Sequence, residues 1–412
     1  MRRLSIPAVA AVLVVVAATA GAAPAASQPS SLQQATSGVG SVRIVDAVNT
    51  TGYLVIPANE STAREYTRTG IDVGAAVATG GMRLGADLSE RTFYRRFRSR
   101  TDADGRAAAL SSLVGRIEAR TASLQHRQQR AIGQYSDDQL STTEFVDRLA
   151  RIDAEARRLH ALVDPETGVV AETEFNPPSD LQTRIANVRA TLLVLQGPVR
   201  QRAGRTFAGA AEPAQVYVET SARGVVLTSV HDDRYVREAY LGSRRNPGGI
   251  DRFADSRYRI SAAYERAVEL YPWAFENAPS ARGAVGFGDT AVYRVEVDHS
   301  QGTLVSYIDG NTTDAFREIQ HKRLPIVPLS NRTTASDGSL SVAVETSHPT
   351  GPMRVTVTEA ASDEPVAATV SAGDRVLGRT GSDGQLWLIQ PGGTVELDVT
   401  AGERSVSTNV TA

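Results

Sequence analysis

The chain has 412 residues, a formal net charge of -2 and no cysteine. Near-neutrality points to neither a nucleic-acid binder nor an acidic tail. The lack of cysteine excludes disulfide scaffolds, thiolate metal sites, cysteine nucleophiles and lipid attachment through a cysteine. The length calls for about two to four domains, and Lys322 is the only lysine among 44 Lys and Arg residues. Coding bias from a GC-rich genome accounts for that imbalance most simply.

At the N-terminus, Arg2 and Arg3 precede a charge-free Ala/Val-rich run with A-x-A patterns at Ala20–Ala22 and Ala23–Ala25. Residues 1–26 therefore read as an export signal, placing the protein outside the cell or on its surface. The alternative is an uncleaved anchor, since about 20 apolar residues can span a bilayer. The N-x-[ST] triplets at Asn49, Asn59, Asn311, Asn331 and Asn409 agree with export and are candidate glycosylation sites.

A Ser/Gln/Thr/Gly linker (27–41) leads to a strand-like "YLVIP" and then a helical bundle or coiled-coil region within 42–200. The stretch 62–100 reads as partly helical, interrupted at Gly80-Gly81. Its "RTFYRRFRSR" reads as a solvated helix face. Residues 107–132 carry Leu110, Leu113, Val114, Ile117 and Leu124. Residues 141–163 carry Phe145, Leu149, Ile152, Ala156, Leu159 and Val163 at a 4-3-4-3-4 spacing, a single helical stripe. Ser141 and Glu144 form a capping box. Another stripe, Leu181 to Leu195, is capped by Ser179 with Gln182 and ends at Gly197-Pro198.

Residues 205–325 change to hairpins with one helix, an α+β domain. "AQVYVET" and "GVVLTSV" flank "SARG"; "TAVYRVEVDHS" and "GTLVSYIDG" form a second hairpin. With Gly224 laid on Gly302, "GVVLTSVHDDRYVREAY" matches "GTLVSYIDGNTTDAFREIQ", including the dipeptides Arg237-Glu238 and Arg317-Glu318. This suggests a duplicated hairpin unit. From 334 to 412, seven short strands divided by Gly, Asp, Ser and Pro turns indicate an immunoglobulin-like or transthyretin-like β-sandwich. The fold class is thus multidomain α+β.

Three resemblances follow. Pro365-Val366, Thr380 to Gly384 and Pro391-Gly392 resemble the transthyretin-like or carboxypeptidase-regulatory-like sandwich, which implies an accessory module without catalytic residues. Tyr293, Val295, Val297, Gly302, Leu304, Tyr307, Asp309 and Thr312 or Thr313 resemble PepSY-type domains, although the glycine of the usual D-x-x-T-G is missing. That likeness implies a link to peptidase inhibition. "RQQRAIGQYSDDQLSTTEFVDRLARIDAEARRL", "YPWAF" and "DTAVYRVEVDHSQGTLVSYIDG" resemble exported proteins of halophilic archaea, a likeness that brings no activity.

Chemistry is sparse. No H-E-x-x-H, G-x-S-x-G, P-loop or G-x-G-x-x-G occurs, and "RTDADGRAAALS" puts Arg100 where a calcium loop needs a carboxylate. His231 and His299 read as solvated turn residues. "YIDGNTTDAFREIQ" reads as a surface turn, with Asp309 fixing the turn rather than holding a metal. Tyr271, Trp273 and Phe275 form a candidate interaction surface. No catalytic, cofactor or metal residue is assigned. The expectation is a non-enzymatic exported protein that binds a protein partner at the envelope, modulating a peptidase. It contacts the membrane only if the N-terminal run is uncleaved, and it binds no nucleic acid. The alternatives are a hydrolase of surface polymers built from scattered carboxylates and an anchored sensor.

Overall fold

The computed structural model describes residues 54–100, 102–164, 168 and 175–411; the signal-like run and the linker lie outside them. The apolar stripes become helices α1 (Val73–Arg98), α2 (Ala103–Ser136), α3 (Thr142–Leu162) and α4 (Ser179–Leu195). Their stripe residues, among them Leu110, Ile117, Leu124, Phe145, Leu149 and Leu192, are buried in one core. The capping box forms as expected. The Glu144 backbone N–H donates to Ser141 Oγ at 3.3 Å, and the Ser141 N–H donates to Glu144 Oε2 at 2.9 Å.

Local rules fail at several points. Gly80-Gly81 does not interrupt α1, because an interior glycine costs a helix only about 1 kcal/mol. Ser179 does not cap α4; Pro178 holds the cap position without a side-chain bond. The Gln182 amide instead donates to Pro177 O at 2.7 Å. Gly197-Pro198 ends α4 but also opens a further helix, α5 (Pro198–Phe207), since proline suits the first helical position.

The described part of "YLVIP", residues 54–57, is not a strand. Leu54 and Ile56 instead press against Val226, Ala239 and Leu241. The strand lies downstream, at β1 (Ala63–Arg68), inside the stretch read as helical. It joins β2 (Gln215–Ser221), β3 (Gly224–His231) and β4 (Arg234–Leu241). Helices α6 (Arg259–Leu270) and α7 (Pro272–Glu276) follow. Then come β5 (Ser280–Gly286), β6 (Val292–His299), β7 (Gly302–Asp309) and β8 (Asp314–Arg323).

These strands form one antiparallel sheet in the order β1-β2-β3-β4-β8-β7-β6-β5. The order is the same read outward from the β4–β8 junction, as two related meanders would give. The helical stretch and the α+β stretch thus share a sheet. Val216, Val218, Val225, Leu227 and Val236 complete the core of α1–α5 on one face. Ala263, Ala267 and Leu270 of α6 pack on Val295, Val297 and Leu304 on the other.

The C-terminal residues form two four-stranded sheets. One is β14 (Gln385–Ile389), β11 (Pro352–Glu359), β10 (Leu340–Thr346) and β9 (Asn331–Ser336). The other is β13 (Arg375–Arg379), β12 (Thr369–Ala372), β15 (Val395–Ala401) and β16 (Arg404–Val410). Strand β9 adds to the seven expected; its exposed polar residues hide it from a periodicity reading. The sandwich is seated on the large sheet. Tyr66 and Tyr217 enter its core, and the Tyr235 hydroxyl donates to Thr350 O at 2.9 Å. No helix among the described residues is long and apolar enough to cross a membrane.

Candidate functional site

The two Arg-Glu dipeptides come together at the β4–β8 junction. The register opposes Arg237 to Gln320, Ala239 to Glu318 and Tyr240 to Arg317. Directly opposed residues share a face, so Arg237 and Glu318 lie on one face, and Glu238 and Arg317 on the other.

On the sandwich-covered face, Arg237 pairs with Glu318 at 3.2 Å, both fully buried. Glu318 also accepts from the Leu54 N–H at 2.7 Å and the Gln320 amide at 2.7 Å; Arg237 donates to Leu54 O. Tyr271 accepts from Ser306 Oγ at 3.1 Å, and burial raises its pKa well above the ordinary tyrosine range. The sole lysine is here too. Lys322 is 1% exposed, and its Nζ makes no hydrogen bond among the described residues. Burial pulls its pKa down to about 7, against the pull of Glu318, with Arg237 adding to the depression. Burial likewise raises the carboxyl of Glu318, opposed by Arg237. From the sandwich, His348 adds a buried imidazole lowered by burial and by the charges of Lys322 and Arg237.

On the helical face, Glu238 accepts from Arg200 Nε of α5 at 2.8 Å and from the Val199 N–H at 3.2 Å. Arg200 also donates to Gln128 Oε1 and to Leu195 O. Arg317 donates to Leu193 O and Gln196 O. Two guanidinium groups therefore meet carbonyls at the end of α4, where the helical hydrogen-bond ladder stops. This approach needs Gly197, whose Cβ would fall 1.8 Å from the Glu238 carboxylate.

Beside this inner pair, α3 and α5 enclose a cleft of about 420 Å³. The helices approach through small residues: a Cβ on Gly204 would lie 3.4 Å from that of Ala150. Arg151, Arg157, Arg158, Arg200 and Arg205 line it, with Asp147 and Asp153 as the carboxylates. Arg157 holds Asp153 at 2.9 Å, and the Gly197 N–H donates to the same carboxylate at 2.7 Å. Sequence reading missed this cleft. Its only signal is Arg/Asp alternating with Ala on one side of the α3 stripe.

The expected site residues fare unevenly. Asp309 is not in a surface turn; it is fully buried, accepting from the Asn246 N–H at 2.8 Å, and burial raises its pKa. Asn311 is 7% exposed and donates to Asn246 O, so it is no surface sequon in the folded chain. The 242–255 loop covers both, which local sequence does not show. Asn59, Asn331 and Asn409 are exposed, and Asn49 lies outside the described residues. His299 is buried too, edge-on to Trp273 at 5.5 Å. Tyr271 is buried, while Trp273 and Phe275 are half-buried. Phe275 packs edge-on to Tyr264 at 5.3 Å. These three residues therefore plug helix onto sheet and form no common exposed surface.

Three family models match the chain. A domain of unknown function (DUF7096) covers residues 1–212. A family of unknown function (DUF7094) covers residues 216–328. An archaeal fibronectin-III type-like domain covers residues 331–408. The last takes in the stretch compared above with the transthyretin-like sandwich and keeps its β-sandwich class. No curated protein and no solved structure matches.

Proposed function

The chain belongs to the DUF7096 family, whose model spans 1–212 of its 412 residues, and from that premise we propose an exported, cell-surface binding protein without catalytic activity. The fibronectin-III type-like sandwich carries this reading. Sandwiches of that architecture recur in cell-surface domains, and here one is seated on the large sheet through Tyr66, Tyr217 and Tyr235. The ionisable residues at the sheet centre support it as well. Arg237, Glu318, Arg200 and Glu238 are spent on each other.

The partner is a protein, and the PepSY likeness of 256–320 suggests that binding regulates an envelope peptidase. The test is affinity capture with the tagged full chain from native envelope. Recovery of one peptidase, with its activity changed by added protein, is the expected result. Recovery of no protein partner would sink the reading.

A further inference from the structure

We propose that the cleft between the end of α1 and the start of α2 binds a phosphate monoester. Its lining holds Arg96, Arg100 and Arg116, with Ser99 and Ser112, and no carboxylate. Other arginines of α2 are closed by an acid: Arg120 and Arg127 both pair with Glu155. Arg96, Arg100 and Arg116 make no ion pair among the described residues, and all three are exposed to an incoming ligand. Hydrogen bonds shape the cleft around them. Arg116 Nη1 donates to Ser112 Oγ at 2.9 Å, which leaves the proton of that hydroxyl for a ligand. Arg106 Nε donates to Arg100 O at 3.0 Å and ties the chain after α1 to α2. Ser99 Oγ donates to Arg96 O at 2.7 Å and closes the last turn of α1.

Charge and donor count choose the anion. Asp102 is a neighbouring carboxylate, and it is engaged in capping α2, accepting from the Gly105 N–H at 2.5 Å. That bond, with the charges of Arg100 and Arg106 adding to it, holds its carboxyl below the usual range. Set against Asp102, the three lining arginines leave at least two positive charges. A phosphate monoester carries about two negative charges at neutral pH, whereas a sulfate ester or a phosphodiester carries one. Guanidinium forks match phosphate oxygens in paired hydrogen bonds. The lining has no carboxylate to accept the N–H groups of a peptide. Phe93, at 8% exposure, and Ala108 and Ala109 supply an apolar wall for the carbon side of the ester. At about 500 Å³, the cleft falls in the size range of small-ligand pockets, with room for more than the phosphate alone.

The experiment titrates the full chain at fixed ionic strength with phenyl phosphate, phenyl sulfate and phosphatidylglycerol vesicles. Phenyl phosphate is expected to bind at least about tenfold tighter than phenyl sulfate at pH 8, the worth of one charge-assisted hydrogen bond. That advantage should shrink at pH 5, where the monoester has gained a proton. Arg96→Gln with Arg116→Gln should weaken phenyl phosphate at least about tenfold. Arg332→Gln, on the sandwich, should leave it unchanged. Circular dichroism checks folding, and Arg100→Gln alone repeats the test with a smaller change to the surface. Equal or tighter binding of phenyl sulfate, binding of the vesicles alone, unchanged binding by the folded variants, or no binding of phenyl phosphate would each overturn the proposal. Capture of a protein partner is read separately, so either result leaves the binding function of the preceding section to its own test.

Discussion

The two faces of the β4–β8 junction use the same dipeptide to different ends. On the helical face, Glu238 faces Arg200, and the spare donors of Arg200 and Arg317 go to Gln128 and to carbonyls at the end of α4. On the sandwich face, Glu318 is the carboxylate beside Arg237 and Lys322, with His348 across the interface. Charge there is matched incompletely and sealed by the sandwich. A buried pair is weak evidence for stability but costly to break. The contrast teaches that two like pairs can stand in unlike surroundings, and it predicts unlike costs of breaking them.

The largest expected effect follows from that contrast. Glu318→Ala should cost about 3–5 kcal/mol in denaturant unfolding, the range for a broken buried pair. It takes the carboxylate away from Arg237 and Lys322 and leaves the Leu54 N–H without its acceptor. Glu238→Ala should cost less, because Arg200 keeps Gln128 and Leu195 O. Equal losses would erase the distinction between the faces. Next, Gly197→Ala should cost about 1–3 kcal/mol, as overpacking does, since its Cβ collides with the Glu238 carboxylate.

Lys322→Met tests the incomplete match. A base lowered from 10.5 to about 7 on folding leaves the unfolded chain with more bound protons between those values, so it makes stability rise with pH across that window. The variant should be as stable as wild type or more so at neutral pH, with a flatter rise from pH 7 to 10.5. An unchanged slope would mean that Lys322 does not titrate there. His299, lowered from 6.5 to about 4 mainly by burial, has the same sign at lower pH: its contribution is present above 6.5 and lost as pH falls towards 4. The smallest effect is a null one. Glycopeptide mapping of the native protein should find sugar at any of Asn59, Asn331 and Asn409 before Asn311, and occupancy at Asn311 would place that turn outside the fold described.

Much of the architecture was legible because it is local. The stripe from Phe145 to Val163 and the Ser141–Glu144 box need only a helix to act. The hairpins of 215–231 and 292–309 need only alternation and a turn. Strand β1 was not legible, since "AREYTR" gains its state from pairing with β2, about 150 residues away. The 307–320 stretch misled for a related reason. Its polar residues read as solvated, yet the 242–255 loop buries them and supplies their hydrogen bonds. The cleft was hidden because α3 and α5 carry its arginines from separate stretches.

By itself, the sequence determined helix and strand periods, the hairpin turns, the α+β class followed by a sandwich, and the repeat of Arg-Glu. Only the tertiary structure decided that the repeat sends its charges to opposite faces and that the one lysine is buried. It also decided that Asn311 is covered and that five arginines share a cleft. The reason is physical: periodicity is set by each residue's near neighbours, whereas burial and charge pairing depend on what the rest of the chain lays over them.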